Sequence, residues 1–289
     1  MAITNITVGD AELCVDTFGS AGDPAVLLMG GATSSMDWWE PELCERLAAP
    51  GRFVIRFDNR DTGQSTSSPV GEPSYTGADL SADPLRLLDA LGIASAHLVG
   101  VSMGGGIAQD IAVQHPDRVR SLTLIATTAA FDRVATLPLP PPEPRLAATF
   151  EPDTSDDVDW EDEGACVAKM VDVRRLYAGA RWFDEDRVRA VARIVVGRTR
   201  NLRASVTNHW IVIGGGDDED PHSMAEIDVP TLVLHGTEDP LFPFPHGKAL
   251  ASEIHGATLL ALEGMGHEVP PHGLWDVVVP AIVQHTAQP

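Results

Sequence analysis

The sequence predicts an α/β fold in which a mostly parallel sheet is covered by helices on both faces. Three observations carry this prediction. Apolar strand patterns alternate with helix patterns along residues 1–130 and again along residues 226–289. One of these strand patterns runs directly into the turn Gly100-Val101-Ser102-Met103-Gly104, and a helix pattern follows the turn. In residues 131–225 the alternation stops and helix patterns remain, which indicates an inserted helical cap.

The individual elements can be placed by their periodicity and their breakers. We expect strands at 3–8, 12–18, 25–29, 52–58, 96–99, 119–126, 229–234 and 258–262. We expect helices at 40–49, 79–91, 102–114, 165–177, 184–210, 246–254 and 274–285. In the second helix, Asp83 and Pro84 are typical of an N-cap and a first-turn proline, whereas a start at Gly77 would put the proline inside the helix.

Composition and charge describe a globular chain with an acidic surface. Its 289 residues are 44% hydrophobic, which suffices for one large domain or for one domain plus an insertion. The formal net charge of −22 repels nucleic acids and anionic lipids, so we expect neither as a partner. The sequence contains no apolar run of the about 20 residues that a bilayer crossing needs. We therefore expect a cytoplasmic protein with no membrane association and with reduced thiols. None of these features bears on the oligomeric state.

The pentapeptide Gly100–Gly104 has the spacing of a nucleophile elbow. In such a turn the serine adopts a strained backbone conformation, and the two glycines leave room for the neighbouring strand and helix. Ser102 would then stand at the N-terminus of a helix, where the helix dipole favours a developing negative charge. The alternative is a glycine-rich loop with an incidental serine, which the strand–turn–helix context disfavours.

A second glycine-rich bend, Gly30-Gly31-Ala32, follows the buried strand 25–29. Backbone N–H groups in such a bend can point toward the space above a nucleophile. We therefore predict that the N–H groups of Gly31 and Met103 form an oxyanion hole. The alternative for the bend is an ordinary loop.

Three loops at strand ends supply the parts of a catalytic triad. A serine hydroxyl is a weak nucleophile until an imidazole accepts its proton, and a carboxylate has to orient that imidazole. The parts occur in the order Ser102, Asp239, His267. His267 follows the last strand, with an ordinary loop histidine as the alternative. Asp239 lies in the turn after a buried strand, which favours it over Glu238 and Asp228.

The cap region differs in composition from the rest of the chain. It contains a proline-rich piece at 137–144, an acid-dense stretch at 151–163 and a glycine- and acid-rich loop at 214–220. The acidic stretch is typical of a solvated surface, and the alternative is a device that attracts a cationic substrate. Five side chains are candidates for the substrate pocket, each with simple packing as its alternative: Trp38, Phe131, His209, Trp210 and Phe242.

Outside the cap, these motifs are similar to those of the α/β-hydrolase superfamily. The matching segments are 28–31, 58–65, 100–105, 236–240 and 264–267. Three variants resemble the aclacinomycin methylesterase group: Met-Gly-Gly at 29–31, Asp-x-Arg-Asp-Thr-Gly at 58–63 and Pro-His-Gly-Lys at 245–248. The resemblance implies the α/β-hydrolase fold with an eight-stranded sheet. It also implies the same triad and the same oxyanion hole, but it leaves the substrate open because the cap matches least.

We expect from these features a serine hydrolase that cleaves a carboxylic ester, with a small-molecule ester as its partner. The resemblance points to a methyl ester of a bulky polyketide-like molecule. The serine disfavours epoxide hydrolases and haloalkane dehalogenases, which use an aspartate nucleophile. His267 and His272 lack the spacing of zinc ligands, and we expect no metal and no cofactor. A perhydrolase or haloperoxidase, a C–C bond hydrolase, and a receptor without turnover stay open.

Overall fold

The computed structural model describes residues 3–131, 139–146, 158–214 and 222–287. In these ranges eight strands form one sheet: β1 Thr4–Val8, β2 Ala11–Phe18, β3 Ala25–Met29, β4 Phe53–Phe57, β5 Ala96–Val101, β6 Val119–Ile125, β7 Thr231–Gly236 and β8 Thr258–Leu262. The α-helices of the same ranges are α1 Pro41–Ala48, α2 Gly77–Ala90, α3 Met103–Gln114, α4 Glu163–Tyr177, α5 Glu185–Arg198, α6 Leu202–Gly214, α7 Pro245–Glu253 and α8 Trp275–His285.

The order of strands across the sheet brings several loops to one edge. The order is β1-β2-β4-β3-β5-β6-β7-β8, and only the β1–β2 and β2–β4 pairs are antiparallel. Strands β3 to β8 run parallel, so the loops after β3, β5, β7 and β8 leave the sheet at the same edge. The predicted eight-stranded, mostly parallel sheet is therefore confirmed.

Helices cover the sheet on both faces, as the uninterrupted apolar strands predict. All five residues of β3 are buried, and they alternate between two apolar clusters. Leu27 belongs to the cluster on the side of α2, α3 and α7. Leu28 belongs to the cluster on the side of α1 and α8. Since side chains of a strand alternate in direction, these clusters lie on opposite faces.

Helices α4, α5 and α6 lie in the chain between β6 and β7 and form the cap. A small apolar cluster of Val167, Val171 and Ala192 joins α4 to α5. The predicted cap boundaries at 131 and 225 stay a prediction. Three parts of the predicted cap lie outside the described residues: 137–138 of the proline-rich piece, 151–157 of the acid-dense stretch and 215–220 of the loop.

The start of α2 differs from the predicted one. The helix begins at Gly77, and Thr76 caps it through a capping box with Asp79. Asp83 is no N-cap, because its carboxylate is buried in an ion pair with Arg60 at 2.7 Å. Pro84 therefore lies inside the helix.

The helix predicted over 184–210 is two helices, so that prediction was wrong. Helix α5 ends at Arg198, and Thr199 after it has an extended backbone. The side-chain oxygen of Asn201 then accepts a 3.0 Å hydrogen bond from the N–H of Ala204 near the start of α6. Asn201 thus supplies a cap that helix periodicity alone does not reveal.

Two further findings concern the described ranges as a whole. None of their helices combines the length and apolarity that crossing a membrane requires. Cys14, Cys44 and Cys166 are free thiols in buried positions.

Candidate active site

Ser102 stands in the turn between β5 and α3 with the backbone that a nucleophile elbow requires. Its φ of 53° is positive, which is rare for a residue with a side chain. Its N–H donates to the carbonyl of Ile125 at 3.0 Å, and its carbonyl accepts from the hydroxyl of Thr127 at 2.9 Å. The strained residue is thus fixed by the neighbouring strand and the segment after it.

Two glycines permit the close approach of backbone segments around Ser102. A Cβ atom on Gly100 would lie 2.2 Å from the carbonyl oxygen of Gly104. A Cβ on Gly104 would lie 2.5 Å from the carbonyl oxygen of Met29 at the end of β3. Both distances are far below van der Waals contact, so any larger residue would push the elbow away from the sheet.

Asp239, His267 and Ser102 form one continuous chain of hydrogen bonds. The Ser102 hydroxyl lies 2.9 Å from Nε2 of His267. Nδ1 of His267 lies 3.0 Å from Oδ2 and 3.2 Å from Oδ1 of Asp239. This geometry allows the imidazole to accept the serine proton while the carboxylate fixes its tautomer.

The environment of Asp239 favours its ionised form. Burial opposes ionisation of this carboxyl, but the charge and hydrogen bond of the His267 imidazole outweigh burial and hold the pKa below its usual value. Oδ1 also accepts from the N–H groups of Leu241 at 2.9 Å and Phe242 at 2.8 Å. The neighbouring Glu238 instead lines a separate cavity of about 310 Å³ beside α4.

The predicted oxyanion donors lie on either side of the serine. Met103 is the first residue of α3 and directly follows Ser102. A Cβ on Gly31 would lie 3.3 Å from Cβ of Ser102, so the backbone of this bend approaches the nucleophile closely. Both residues therefore adjoin Ser102, and the role of their N–H groups as oxyanion donors stays a prediction.

One pocket candidate contacts a triad residue, and another lines a cavity. The ring of Phe242 meets the ring of His267 edge to face, with 5.3 Å between centroids. Trp38 lines a cavity of about 340 Å³ that also touches Glu268, the residue after His267. The guanidinium of Arg174 stacks over Trp38 at 3.8 Å from the ring centroid.

The other three candidates have surroundings of different kinds. Phe131 is buried in the core and meets His222 edge to face. Trp210 is exposed on α6. His209 is fully buried, and both of its ring nitrogens contact backbone groups. Binding of substrate by any of the five candidates stays a prediction.

Sequence reasoning missed the contacts between the cap and the histidine loop, which we define as residues 263–268. The N–H of His267 donates to the carbonyl of Tyr177 at the end of α4, at 2.7 Å. Oε1 of Glu268 faces the N–H groups of Gly179 at 3.3 Å and Gly266 at 3.4 Å. Burial raises the pKa of Glu268 to about 7. The close pairing of Gly179 with the loop is not visible in any local motif.

No three His, Cys, Asp or Glu side chains within the described ranges form a cluster of the kind that could hold a metal ion.

Comparisons with known proteins agree with this geometry. The family model described as alpha/beta hydrolase fold matches residues 24–153, and one described as TAP-like protein matches residues 197–273. The chain is 30% identical to the rhodomycin D methylesterase of Streptomyces sp. (strain C5), and the alignment covers 97% of each chain. The rhodomycin D methylesterase of Streptomyces peucetius is also 30% identical, with 97% of each chain covered.

Solved structures resemble the chain over nearly its whole length. The enol-lactonase from Burkholderia xenovorans LB400 superposes with a TM-score of 0.75 at 26% identity, and the match covers 99% of this chain and 100% of the enol-lactonase chain. An esterase from Exiguobacterium antarcticum superposes with a TM-score of 0.76 at 21% identity, covering 99% of this chain and 100% of its own. The second similarity supports the fold alone.

Proposed function

This chain belongs to the α/β-hydrolase family, and from that premise we propose that it is a serine hydrolase that cleaves a carboxylic ester through an acyl-enzyme intermediate. The observation that carries the proposal is the unbroken chain of hydrogen bonds from Ser102 through His267 to Asp239. Such a chain activates a hydroxyl for attack on a carbonyl carbon.

In the first half of the reaction, the Ser102 oxygen attacks the ester carbonyl while Nε2 of His267 accepts the hydroxyl proton. The carbonyl oxygen becomes an oxyanion, and the N–H groups of Gly31 and Met103 stabilise it. The ionised Asp239 stabilises the imidazolium that forms. The tetrahedral intermediate then expels the alcohol, which leaves with the proton from His267.

In the second half, a water molecule takes the place of the alcohol. His267 accepts a proton from this water as the water oxygen attacks the acyl carbon. The same two N–H groups stabilise the second oxyanion. When the intermediate collapses, the carboxylic acid is released and Ser102 recovers its proton from the imidazolium, so the enzyme is unchanged.

The proposed substrate is a methyl ester of a bulky polyketide-like small molecule. The similarity to two rhodomycin D methylesterases along nearly the whole chain supports this class. The cavity of about 340 Å³ that Trp38 and Glu268 line carries both aromatic and charged side chains, among them Trp182 and Arg187, so the substrate class rests on the relatives and not on this cavity.

The proposal is tested with wild-type protein and the variant Ser102→Ala on a panel of methyl esters. We expect the wild type to release methanol and the acid, with preference for bulky polyketide-like esters, and Ser102→Ala to lose at least about 10³-fold in kcat. A fluorophosphonate should label wild-type protein at Ser102 and abolish its activity. Matched thermal melting curves of the two proteins exclude loss of folding as the cause.

The same samples distinguish the other activities that the sequence leaves open. Binding of an ester without labelling or turnover would favour a receptor over an enzyme. Halogenation or peracid formation dependent on hydrogen peroxide, if faster than ester cleavage, would favour a perhydrolase. Faster cleavage of a C–C bond in a dienoate ketone than of any ester would favour a C–C hydrolase. Each of these results would overturn the ester-hydrolase proposal.

A further inference from the structure

The loop that carries Gly31, residues 30–35, does not hold its shape through local bonds alone. Its own bonds are a turn from the N–H of Ser34 to the carbonyl of Gly31 at 3.2 Å and a bond from the Ser34 hydroxyl to the carbonyl of Ala32 at 3.3 Å, and neither bond uses a polar group of Thr33. Thr33 inside this turn has a φ of 61°. A β-branched residue pays in conformational strain for a positive φ and keeps it only where surrounding contacts enforce it. We call residues 30–35 the oxyanion loop.

The contact that holds Thr33 comes from the cap. Nδ1 of His209, on α6, accepts the N–H of Thr33 at 2.9 Å. The other ring nitrogen, Nε2, lies 2.7 Å from the carbonyl oxygen of Arg60. A carbonyl can only accept, so Nε2 carries the proton and Nδ1 is the bare acceptor.

His209 is therefore a neutral ring in one defined tautomer. It is fully buried, and burial lowers its pKa below the usual value of histidine. Both nitrogens are occupied by backbone groups, which leaves none to exchange a proton with a substrate. A second cap residue supports the same loop, since Arg174 donates to the hydroxyl of Ser34 at 2.9 Å.

We propose that His209 is a positioning residue for the oxyanion hole: it holds Thr33 in its strained conformation and thereby aims the N–H of Gly31 at the reacting carbonyl oxygen. This inference rests on the proposed function. It assigns to the cap a part in transition-state stabilisation in addition to any part in binding. The expected kinetic signature is a change in kcat with little change in KM, because the oxyanion exists only in the transition state.

Two substitutions separate the two hydrogen bonds of His209. In His209→Asn the side-chain oxygen can take the place of Nδ1 and accept from Thr33. In His209→Gln the amide nitrogen can take the place of Nε2 and donate to Arg60, but no acceptor faces Thr33. We expect His209→Gln to lower kcat about tenfold to a hundredfold with KM within about twofold, because a misaimed donor loses part of its effect. We expect His209→Asn to stay within about threefold of wild-type kcat.

The control is Asn208→Ala on the same buried turn of α6. Asn208 bonds to Asp61, to Gly71 and to the carbonyl of Pro69, and it makes none of the described contacts to the oxyanion loop. This variant should lower the melting temperature while kcat per active site remains that of wild type. Active sites are counted by fluorophosphonate labelling, so partial unfolding does not distort kcat.

A second measurement does not depend on turnover. Hydrogen exchange of the Thr33 amide should accelerate in His209→Gln and stay slow in His209→Asn. If His209→Gln fails to fold, the double variant Thr33→Gly/His209→Gln tests the same point. Glycine adopts a positive φ without strain, so this double variant should fold and regain part of the wild-type kcat.

Equal kcat in His209→Gln and wild type would overturn the inference, as would equal losses in His209→Gln and His209→Asn or a loss confined to KM. A double variant that folds but shows no measurable kcat would overturn it too. The proposed function would still stand after any of these results, provided that wild-type protein cleaves esters and is labelled at Ser102. Failure of cleavage and labelling in the wild type itself would instead reject the proposed function.

Discussion

Ser102 and the loops around it are held in place by different parts of the molecule. Ser102 is fixed by the sheet core, through the bond to Ile125 and the tight packing of Gly100 and Gly104. The histidine loop is bonded to the cap through the carbonyl of Tyr177. The oxyanion loop is bonded to the cap as well, through His209. The core alone is thus sufficient to present the serine, but the geometry around it depends on the docked cap.

The contacts that attach the cap to the core differ in kind from the contacts within the core. Apolar side chains on both faces of the sheet hold the core together. Val212 and Trp182 of the cap region pack on these clusters, but the cap is also anchored by buried polar contacts, among which Arg198 pairs with Asp58 and with Asp37 at 2.6 Å each. Polar contacts depend on direction, so they fix the orientation of the cap as well as its presence.

The largest expected effect comes from Asp239→Asn, which leaves the turn around Ser102 unchanged but removes the carboxylate that faces His267. The amide cannot stabilise the imidazolium and favours the wrong tautomer of His267, so kcat should fall by about 10⁴-fold. Steady-state kinetics measure the loss. Glu238→Gln is the matched control and should keep wild-type kcat, because Glu238 faces another cavity. A loss of less than tenfold in Asp239→Asn would mean that a different carboxylate serves His267.

Arg198→Ala tests whether the cap anchor is as important as the geometry indicates. The substitution leaves the carboxylate of Asp58 buried and without its cation, and breaking a buried pair in this way costs about 3 to 5 kcal/mol. Urea unfolding measures the change. Arg193→Ala, an exposed residue on the same helix, should change stability by less than about 0.5 kcal/mol. Equal stability of the two variants would contradict this account of docking.

Gly179→Ala separates the cap from the histidine loop while the elbow stays intact. The new Cβ would lie 2.0 Å from the carbonyl oxygen of Gly264, so the two segments have to move apart. We expect kcat to fall about tenfold to a hundredfold as His267 shifts from Ser102. Gly197→Ala is the control, since a Cβ there meets nothing within 4 Å. Unchanged kcat in Gly179→Ala, measured on folded protein, would show that the loop holds itself.

Glu268→Gln should have the smallest effect, on the pH dependence of stability. Burial raises the pKa of Glu268 to about 7, whereas a glutamate in an unfolded chain has a pKa of about 4.3. Between these values the folded state binds more protons than the unfolded state, so the wild-type unfolding free energy falls as pH rises through this window.

The glutamine variant lacks this titration. Between about pH 5 and about pH 7.5 its unfolding free energy should therefore fall by about 1 kcal/mol less than that of the wild type, after allowance for solvent screening. Chemical denaturation at both pH values provides the measurement. Glu263→Gln, an exposed neighbour, should behave as wild type. Parallel pH profiles for Glu268→Gln and wild type would disprove the burial of a titrating carboxyl.

The sequence predicts those features that depend on local pattern. The alternating strands and helices and the elbow spacing were sufficient to identify the α/β-hydrolase fold, which the structure and the relatives confirm. The Ser–Asp–His order likewise led to three side chains that the structure brings within hydrogen-bonding distance. Each of these signals lies within one segment or in the order of segments along the chain.

The contacts of the cap escape prediction because they join residues far apart in sequence. His209 and Thr33 are separated by 176 positions, and nothing around either residue indicates that the two will meet. The break between α5 and α6 was missed because a single capping side chain, Asn201, interrupts an otherwise helical pattern. Aspartate is a common N-cap residue, but the carboxylate of Asp83 forms an ion pair with Arg60 instead. Tertiary contacts override local preference in each case.

The hydrogen bond between the N–H of His267 and the carbonyl of Tyr177 also bears on how ligands enter and leave the site. If the end of α4 moved away to admit a ligand, His267 would lose this hydrogen bond as the ligand entered. In the proposed mechanism, therefore, His267 keeps this support throughout a turnover only if substrate enters and product leaves without displacing the end of α4.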